Sequence, residues 1–277
     1  MTTLKGKTVF ITGASRGIGL EIGKKAAHQG ANVVIAAKTT DANPKLPGTI
    51  YSAAAEIEAA GGRCLPLQVD IRDEAQIAAA MEQAATHFGG IDVLINNASA
   101  IGLTDTAHTP MKRFDLMFGV NVRGTYACTQ AALPYLKQAA ERGGNPHVLT
   151  LSPPPNLNPK WFAPHVAYTM AKYGMSLCVL GHAEEFRPLG IAVNALWPRT
   201  IIQTAALQMI PGIAPEVCRT PEIVADAALC ILTLDAKTHT GQFFIDEAVL
   251  AEHGTTDLSK YAVVPGTTEF PNDLFLD

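Results

Sequence analysis

The stretch Val9-Phe10-Ile11-Thr12-Gly13-Ala14-Ser15-Arg16-Gly17-Ile18-Gly19 decides the fold that we predict for this chain. An apolar run ends at Thr12, a glycine-spaced loop follows, and residues 20–27 have the composition of a helix. Strand, tight turn and helix in this order form the layout of a dinucleotide pyrophosphate site, because glycines let backbone N–H groups and a helix N-terminus approach the phosphates. An ordinary strand-to-helix turn is the alternative interpretation. The predicted cofactor-binding residues of the loop are Gly13, Ser15, Arg16, Gly17, Ile18 and Gly19.

Composition limits the class of protein. The chain has 277 residues, 48% hydrophobic and 17% charged, with a net charge of −4, which fits one globular domain over residues 1–277. Because no basic run occurs, we expect no nucleic-acid partner. The five cysteines form no CxxC pair, and no apolar run reaches the roughly 20 residues that span a bilayer. We therefore expect no metal site, no membrane span and a cytoplasmic protein.

Strand-like and helix-like segments alternate along the chain. Because the strands are apolar throughout, they favour a parallel sheet covered on both faces, a Rossmann-type, doubly wound α/β fold of about seven strands and three layers. We expect Met170, Met175 and Met209 to fill the core. From about residue 247 we expect an irregular tail that packs on a neighbouring subunit or frays. The predicted strands after the first are 33–37, 64–69, 91–95, 148–151, 191–196 and 243–245.

Two polar residues share one face of a predicted helix at 166–186. Tyr168 and Lys172 are four residues apart, so both side chains lie on the same side. A free tyrosine has a pKa near ~10, and lowering it by ~3 units takes roughly 4 kcal/mol. We expect the Lys172 ammonium to contribute to that shift and Tyr168 to exchange a proton with an alcohol or carbonyl oxygen. This spacing is common in ordinary helices, but the glycine loop favours the catalytic interpretation.

Together these motifs resemble the short-chain dehydrogenase/reductase family over nearly the whole chain. The resemblance rests on residues 12–19 and 96–98, on Asn121, and on Tyr168 with Lys172. Further runs resemble one branch of that family, whose members carry a C-terminal sterol-carrier domain; we do not expect lipid carriage from these 277 residues. Those runs are 34–39, 151–154, 156–159 and 195–198.

The resemblance implies a role for each matching residue. Tyr168 would be the general acid/base, and Lys172 would lower its pKa and bond the nicotinamide ribose. Asn121 would hold a helix irregularity and a water that relays protons to Lys172. Asn97 would lie near the adenosine ribose, and Asp70 would accept a hydrogen bond from the adenine amine.

The family serine that polarises the substrate oxygen has no clear counterpart. Its usual spacing from Tyr168 falls on Pro155, whereas alignment of the fifth strand places it at Pro153, one residue after Ser152. Either Ser152 serves as the fourth catalytic residue or the donor is missing. A missing donor of this kind typically costs roughly 10²–10³ in rate.

The cofactor prediction depends on the end of the second strand. NAD-specific sites place an acidic residue there, and this strand ends at Lys38 instead. Lys38 and Arg16 could face a 2′-phosphate, so we favour NADP, while Asp41 is the argument for NAD.

The predicted activity is interconversion of an alcohol and a ketone or aldehyde on an apolar substrate, with lipids among the candidates. The alternatives are an NADP-binding redox sensor or interaction protein with little catalysis, and a carbon–carbon double-bond reductase. The resemblance also implies a homodimer or homotetramer assembled through the helices around Asn121 and Tyr168.

Overall fold

A computed structural model of the protein describes residues 3–44, 46–205, 207 and 212–277. Seven parallel strands form one sheet in the order β3-β2-β1-β4-β5-β6-β7. Every residue of β1 and of β6 is buried, which explains why these strands are apolar without alternation. The strands are β1 Thr8–Thr12, β2 Asn32–Ala37, β3 Arg63–Gln68, β4 Val93–Asn96, β5 His147–Thr150, β6 Ala192–Trp197 and β7 Phe243–Ile245.

Helices cover both faces of the sheet and confirm the predicted Rossmann-type fold. One core cluster joins the sheet to α1, α2, α7 and α8, and a second joins it to α3, α5 and α6. The helices are α1 Gly17–His28, α2 Ile50–Ala59, α3 Glu74–Phe88, α4 Met111–Met117, α5 Thr125–Glu141, α6 Val166–Phe186, α7 Glu222–Leu232 and α8 Asp246–Glu252. None of the helices among the described residues is both long and apolar enough to cross a membrane.

Two expectations need correction. Residues 246–252 form α8 rather than the start of an irregular tail, because two acidic residues open its first turn and Val249 and Leu250 are buried against the core. Met170 is 44% exposed, whereas Met175 is buried as expected. Met209 lies outside the described residues.

The order of the strands fixes where a ligand can bind. β1 pairs with β2 on one side and with β4 on the other, so the direction of winding reverses at β1. In such sheets the loops after the carboxyl ends of the strands diverge at this point and leave a crevice. The glycine loop follows β1 directly and therefore lies at this crevice.

Candidate functional site

A cleft of about 590 Å³ opens at the carboxyl ends of the strands. It runs from the glycine loop to the segment 271–277. The structure brings ten of the predicted site residues to its wall: Gly13, Ser15, Arg16, Gly17, Ile18, Lys38, Asp70, Asn97, Tyr168 and Lys172. The other three, Gly19, Asn121 and Ser152, do not line it.

The glycine loop is shaped by close contacts that exclude larger side chains. Gly13 has φ +69°, and a Cβ there would lie 2.8 Å from Ala98 Cα. A Cβ on Gly19 would lie 2.4 Å from the side-chain amide nitrogen of Asn97. α1 begins at Gly17 without a side-chain cap, which leaves first-turn N–H groups available to an anion.

The side chain of Asn97 joins two neighbouring strands. Its Nδ2 donates to the carbonyl oxygens of Thr12 at 2.8 Å and of Gly13 at 3.2 Å. The residue also lines the cleft, which is compatible with the implied position near a ribose. The contacts that the structure shows for the amide are nevertheless structural, because they hold the glycine loop to the end of β4.

Two cations pair with Asp70 at one end of the cleft: Lys38 lines the cleft with Asp70, and Arg72 lies beside them outside the wall. Lys38 Nζ lies 3.0 Å from Asp70 Oδ2, and Arg72 Nη2 lies 2.5 Å from the same oxygen. Hydrogen bonds from Arg72 and then from Lys38 hold the pKa of the Asp70 carboxyl well below its usual range. Two cations and one anion leave this end net positive. Arg72 was not predicted, although its position two residues after Asp70 is visible in the sequence.

Arg16 is engaged by the long loop between β2 and α2. Its guanidinium donates to the carbonyl oxygens of Pro47 at 3.0 Å and Gly48 at 2.8 Å. Gly48, with φ +100°, passes so close to the Ser15 carbonyl that a Cβ would lie 2.5 Å from its oxygen. The loop therefore folds down on the glycine loop. Arg16 lines the cleft, but part of its donor capacity is already used for this closure.

Tyr168 and Lys172 project from the first two turns of α6 into the opposite end of the cleft. Lys172 Nζ donates to the carbonyl oxygen of Leu151 at 2.8 Å and lies 4.9 Å from the centre of the Trp197 ring. Tyr168 is 5% exposed, and its hydroxyl makes no hydrogen bond to the part of the chain that the structure describes. The phenol oxygen is therefore free to meet a ligand.

The expected lowering of the phenol pKa is not provided by the protein alone. Burial raises the pKa of Tyr168 above its usual value, and the charge of Asp273 raises it further. Burial also lowers the pKa of Lys172 to about 7, although Asp273 opposes that change. The physical reason is that both side chains lose hydration of their charged forms, an effect that outweighs the attraction from a nearby opposite charge.

Asn121 lies where the helix irregularity was expected. Residues Phe118–Gly124 form a π-helix between α4 and α5. The Asn121 side chain is buried and pairs with the backbone of Ala100, accepting from its N–H at 2.7 Å and donating to its carbonyl at 3.0 Å. This pairing fixes the loop after β4 against the helix irregularity. The implied water relay stays a prediction.

The structure places Ser152 away from the cleft. Its side chain is fully buried, and its Oγ has no hydrogen-bond partner among the described residues. The following residue, Pro153, has no hydroxyl to donate, and its carbonyl accepts from the Ser176 hydroxyl at 2.6 Å. Of the two alternatives, the geometry favours a missing donor at this position, because the Ser152 hydroxyl is buried and Ser152 does not line the cleft, although its neighbour Leu151 does.

The segment 271–277 supplies part of the site that sequence reasoning missed. Asp273 and Leu274 line the cleft, and Phe275 is 1% exposed in a cluster with Tyr168 and Trp197. No periodicity in this stretch could have indicated the contact. The aromatic residues before Tyr168, which are Trp161, Phe162 and His165, pack in the hydrophobic cluster around Phe275 or on its ring rather than in the cleft wall.

Comparison with known proteins identifies the family. The model of the short chain dehydrogenase family matches residues 7–211. Hydroxysteroid dehydrogenase-like protein 2 of Danio rerio is 61% identical over 275 residues, 99% of this chain and 65% of that protein. The chain thus spans less than two thirds of the length of this relative, which represents the branch that the four runs resemble.

Solved structures agree with the fold. A short chain dehydrogenase from Mycobacterium thermoresistibile superposes with a TM-score of 0.92 at 52% identity, covering 99% of this chain and 96% of that one. A short chain dehydrogenase from Mycobacterium paratuberculosis bound to NAD gives a TM-score of 0.72 at 20% identity, over 88% of this chain and 97% of that one. The family match and the high identity to these relatives show that the chain belongs to the short-chain dehydrogenase family of oxidoreductases.

Proposed function

We propose that the protein is an NADP-dependent oxidoreductase that interconverts an alcohol and a ketone or aldehyde on an apolar substrate. One observation carries the proposal: a single cleft holds the glycine loop at one end and, at the other, the unbonded Tyr168 hydroxyl beside Lys172. A nucleotide bound along the loop and a substrate oxygen near the phenol would therefore share one cleft.

The residues present fit a nicotinamide dinucleotide. The loop from Gly13 to Ile18 offers N–H groups to phosphates, and Asp70 and Asn97 line the nucleoside end. When bound, the nicotinamide supplies the hydride exchange and, in its oxidised form, a positive charge. Tyr168 would hold or accept the proton at the substrate oxygen. Lys172, kept in place by Leu151, would stabilise the phenolate form.

The preference for NADP is supported by charge. Lys38 and Arg72 together outnumber Asp70 at the nucleoside end, so a 2′-phosphate would meet a net positive surface. An acidic residue at the end of β2 would favour a free 2′-hydroxyl, and Lys38 occupies that place. NAD remains the alternative because Asp41 follows three residues later.

The apolar character of the substrate is supported by the wall near Tyr168. Ile101, Trp197 and Leu274 pack in the same cluster as Tyr168 and line the cleft, whose wall also includes Pro198, Ile201 and Ile202. Binding of a hydrocarbon substrate against this wall is favourable because it removes apolar surface of both from water. Polar groups of a substrate would lose their hydration there.

The test follows NADPH oxidation with apolar aldehydes and ketones, comparing the wild type with Tyr168→Phe. We expect turnover by the wild type and a loss of about 10²–10⁴-fold in the variant, because one oxygen atom is removed from the site of proton transfer. NADP binding, measured by fluorescence titration, should be retained in both. Equal inertness with tight binding would favour the redox-sensor alternative, and turnover of enones alone would favour the double-bond reductase.

We also propose a homodimer or homotetramer assembled through α5 and α6. Tyr126 on α5 and Leu177 and Leu180 on α6 are 52%, 62% and 46% exposed, a concentration of large apolar side chains on neighbouring helices. Leu177→Glu should reduce the mass measured by light scattering, whereas Met111→Glu, at an exposed apolar position on α4, should not. An unchanged mass for Leu177→Glu would contradict this assembly.

A further inference from the structure

The segment 271–277 is held over the Tyr168 end of the cleft by several independent contacts. Asp273 N–H donates to the Arg199 carbonyl at 2.9 Å, and the Trp197 indole donates to the Leu274 carbonyl at 2.9 Å. Phe275 follows, buried, with its ring centre 6.3 Å from that of Tyr168. The backbone around Asp273 is therefore fixed on both sides of the residue.

The carboxylate of Asp273 has unused capacity toward the cleft. Its Oδ1 accepts from the Leu274 N–H at 2.8 Å, and no other hydrogen bond to the carboxylate occurs within residues 3–44, 46–205, 207 and 212–277. The residue lines the cleft and is partly exposed there. A charged group that is held in place, but pairs with only one backbone N–H, acts mainly through its field.

That field reaches both members of the catalytic pair. Asp273 raises the pKa of Lys172 and that of Tyr168, while burial raises the pKa of Asp273 itself to about 7. Groups coupled in this way lose protons as a set rather than singly. The charged or titratable neighbours from the surrounding elements are Lys172 and Tyr168 on α6, Asp246 at the start of α8, Arg199 after β6 and Arg113 on α4.

We propose that Asp273 is a positioning residue of this site: the segment 271–277 holds its carboxyl in the cleft that Lys172 and Tyr168 also line, and its negative charge there acts on the proton transfer between Tyr168 and a substrate oxygen. The inference rests on the proposed function, because it acts through the pair that the function uses. Asp273 thereby gives the segment 271–277 an electrostatic part in the reaction, besides its packing against the aromatic cluster.

The direction of the effect follows from electrostatics. A carboxylate stabilises a nearby ammonium and destabilises a nearby phenolate, so removing its charge lowers the pKa of Lys172 and that of Tyr168. Above about pH 7 Lys172 is mostly the neutral amine with or without this charge, so the titration of Tyr168 reports the direct effect of Asp273. Asp273→Asn removes the charge and retains a carbonyl oxygen that can accept from Leu274 N–H. Asp273→Glu keeps the charge. Asp277→Asn is the matched control, since Asp277 lies in the same segment but pairs with Lys160 at the surface.

The experiment uses the full chain with NADP⁺, labelled with [¹³Cζ]tyrosine. Tyr168→Phe identifies the Tyr168 signal among the six tyrosines, and its chemical shift is followed from about pH 7 to about pH 12. We expect Asp273→Asn to move the ionisation of Tyr168 to lower pH by about 0.5–1 unit, Asp273→Glu to restore the wild-type position, and Asp277→Asn to leave it unchanged. A merely structural residue would not shift this titration in one direction.

The outcomes separate this proposal from the proposed function. If the Tyr168 signal follows the same course in wild type and Asp273→Asn, including no ionisation in either, the proposal is overturned. A shift of equal size in Asp277→Asn would also overturn it, since the effect would then be nonspecific. Failure of the proposed function shows separately, as equal carbonyl reduction by wild type and Tyr168→Phe.

Discussion

Lys172 Nζ donates a hydrogen bond to the carbonyl oxygen of Leu151 at 2.8 Å, which joins the second turn of α6 to the chain just beyond β5. The contact directs a buried lysine toward the cleft instead of toward solvent. Because burial lowers the pKa of Lys172 to about 7, the ammonium and neutral amine have comparable populations near neutral pH. This single contact makes the lysine both a structural link and a titratable group of the site.

Replacing this lysine should separate catalysis from stability. We expect Lys172→Met to lower the rate of carbonyl reduction by about 10²–10³-fold, because no ammonium then stabilises the phenolate. The free energy of unfolding should change by less than about 2 kcal/mol, since loss of a costly buried charge offsets the unpaired Leu151 carbonyl. Turnover and urea unfolding measure the two effects. Lys137→Met, at an exposed position on α5, is the control; equal turnover in both variants would contradict the assigned role.

Cofactor choice should depend on Lys38. Lys38→Ala removes one of the two cations beside Asp70, so KM for NADPH should rise about tenfold while KM for NADH changes little. Lys38→Arg keeps the charge and should stay near the wild type. Steady-state kinetics with both cofactors measures the ratio. A parallel rise for NADH and NADPH would mean that Lys38 does not contact a 2′-phosphate.

Ser152 provides a test of the missing donor. Its Oγ is buried without a partner in the described part of the chain, so Ser152→Ala should change the rate by less than about threefold. Stability should be equal or slightly higher, because an unsatisfied buried hydroxyl is removed. A loss of roughly 10²–10³-fold with an unchanged unfolding midpoint would instead identify Ser152 as the oxyanion donor.

Replacing two helical glycines, Gly19 and Gly181, by alanine should have opposite effects on the stability of the fold. At Gly19 a Cβ would meet the Asn97 side-chain nitrogen at 2.4 Å and Ala14 Cα at 3.0 Å, so Gly19→Ala should weaken NADP binding and cost about 1–3 kcal/mol. At Gly181 on α6 a Cβ would meet nothing within 4 Å, so Gly181→Ala should stabilise by up to about 1 kcal/mol. Thermal unfolding with and without NADP measures both. Normal binding by Gly19→Ala would show that the loop tolerates displacement of Asn97.

The buried His147 should make the protein less stable in mild acid. Burial lowers the pKa of His147 to about 4, below its value in the unfolded chain. Between these pKa values the unfolded chain binds more protons, so stability present above pH ~6.5 is lost as the pH falls. From about pH 7 to about pH 5 the loss should be about 2 kcal/mol in urea unfolding. His147→Asn should reduce this dependence, whereas His108→Gln, at an exposed position, should not; identical slopes for all three proteins would contradict the assignment.

The sequence by itself determined the fold and the two ends of the candidate site. Apolar strands that alternate with helices permit one parallel, doubly covered sheet, and the glycine spacing after β1 places the nucleotide loop at the reversal of winding. The four-residue spacing of Tyr168 and Lys172 also required no tertiary information, because helix geometry alone puts them on one face.

Only the tertiary structure decided how the charges and the segment 271–277 complete the site. Asp273 lies about a hundred residues from Lys172 along the chain, and nothing local in its surroundings indicates that they share a cleft. The same holds for the engagement of Arg16 by Gly48 and for the burial that raises the pKa of Tyr168. Periodicity and spacing report local geometry, whereas desolvation and long-range pairing exist only once distant segments have packed together.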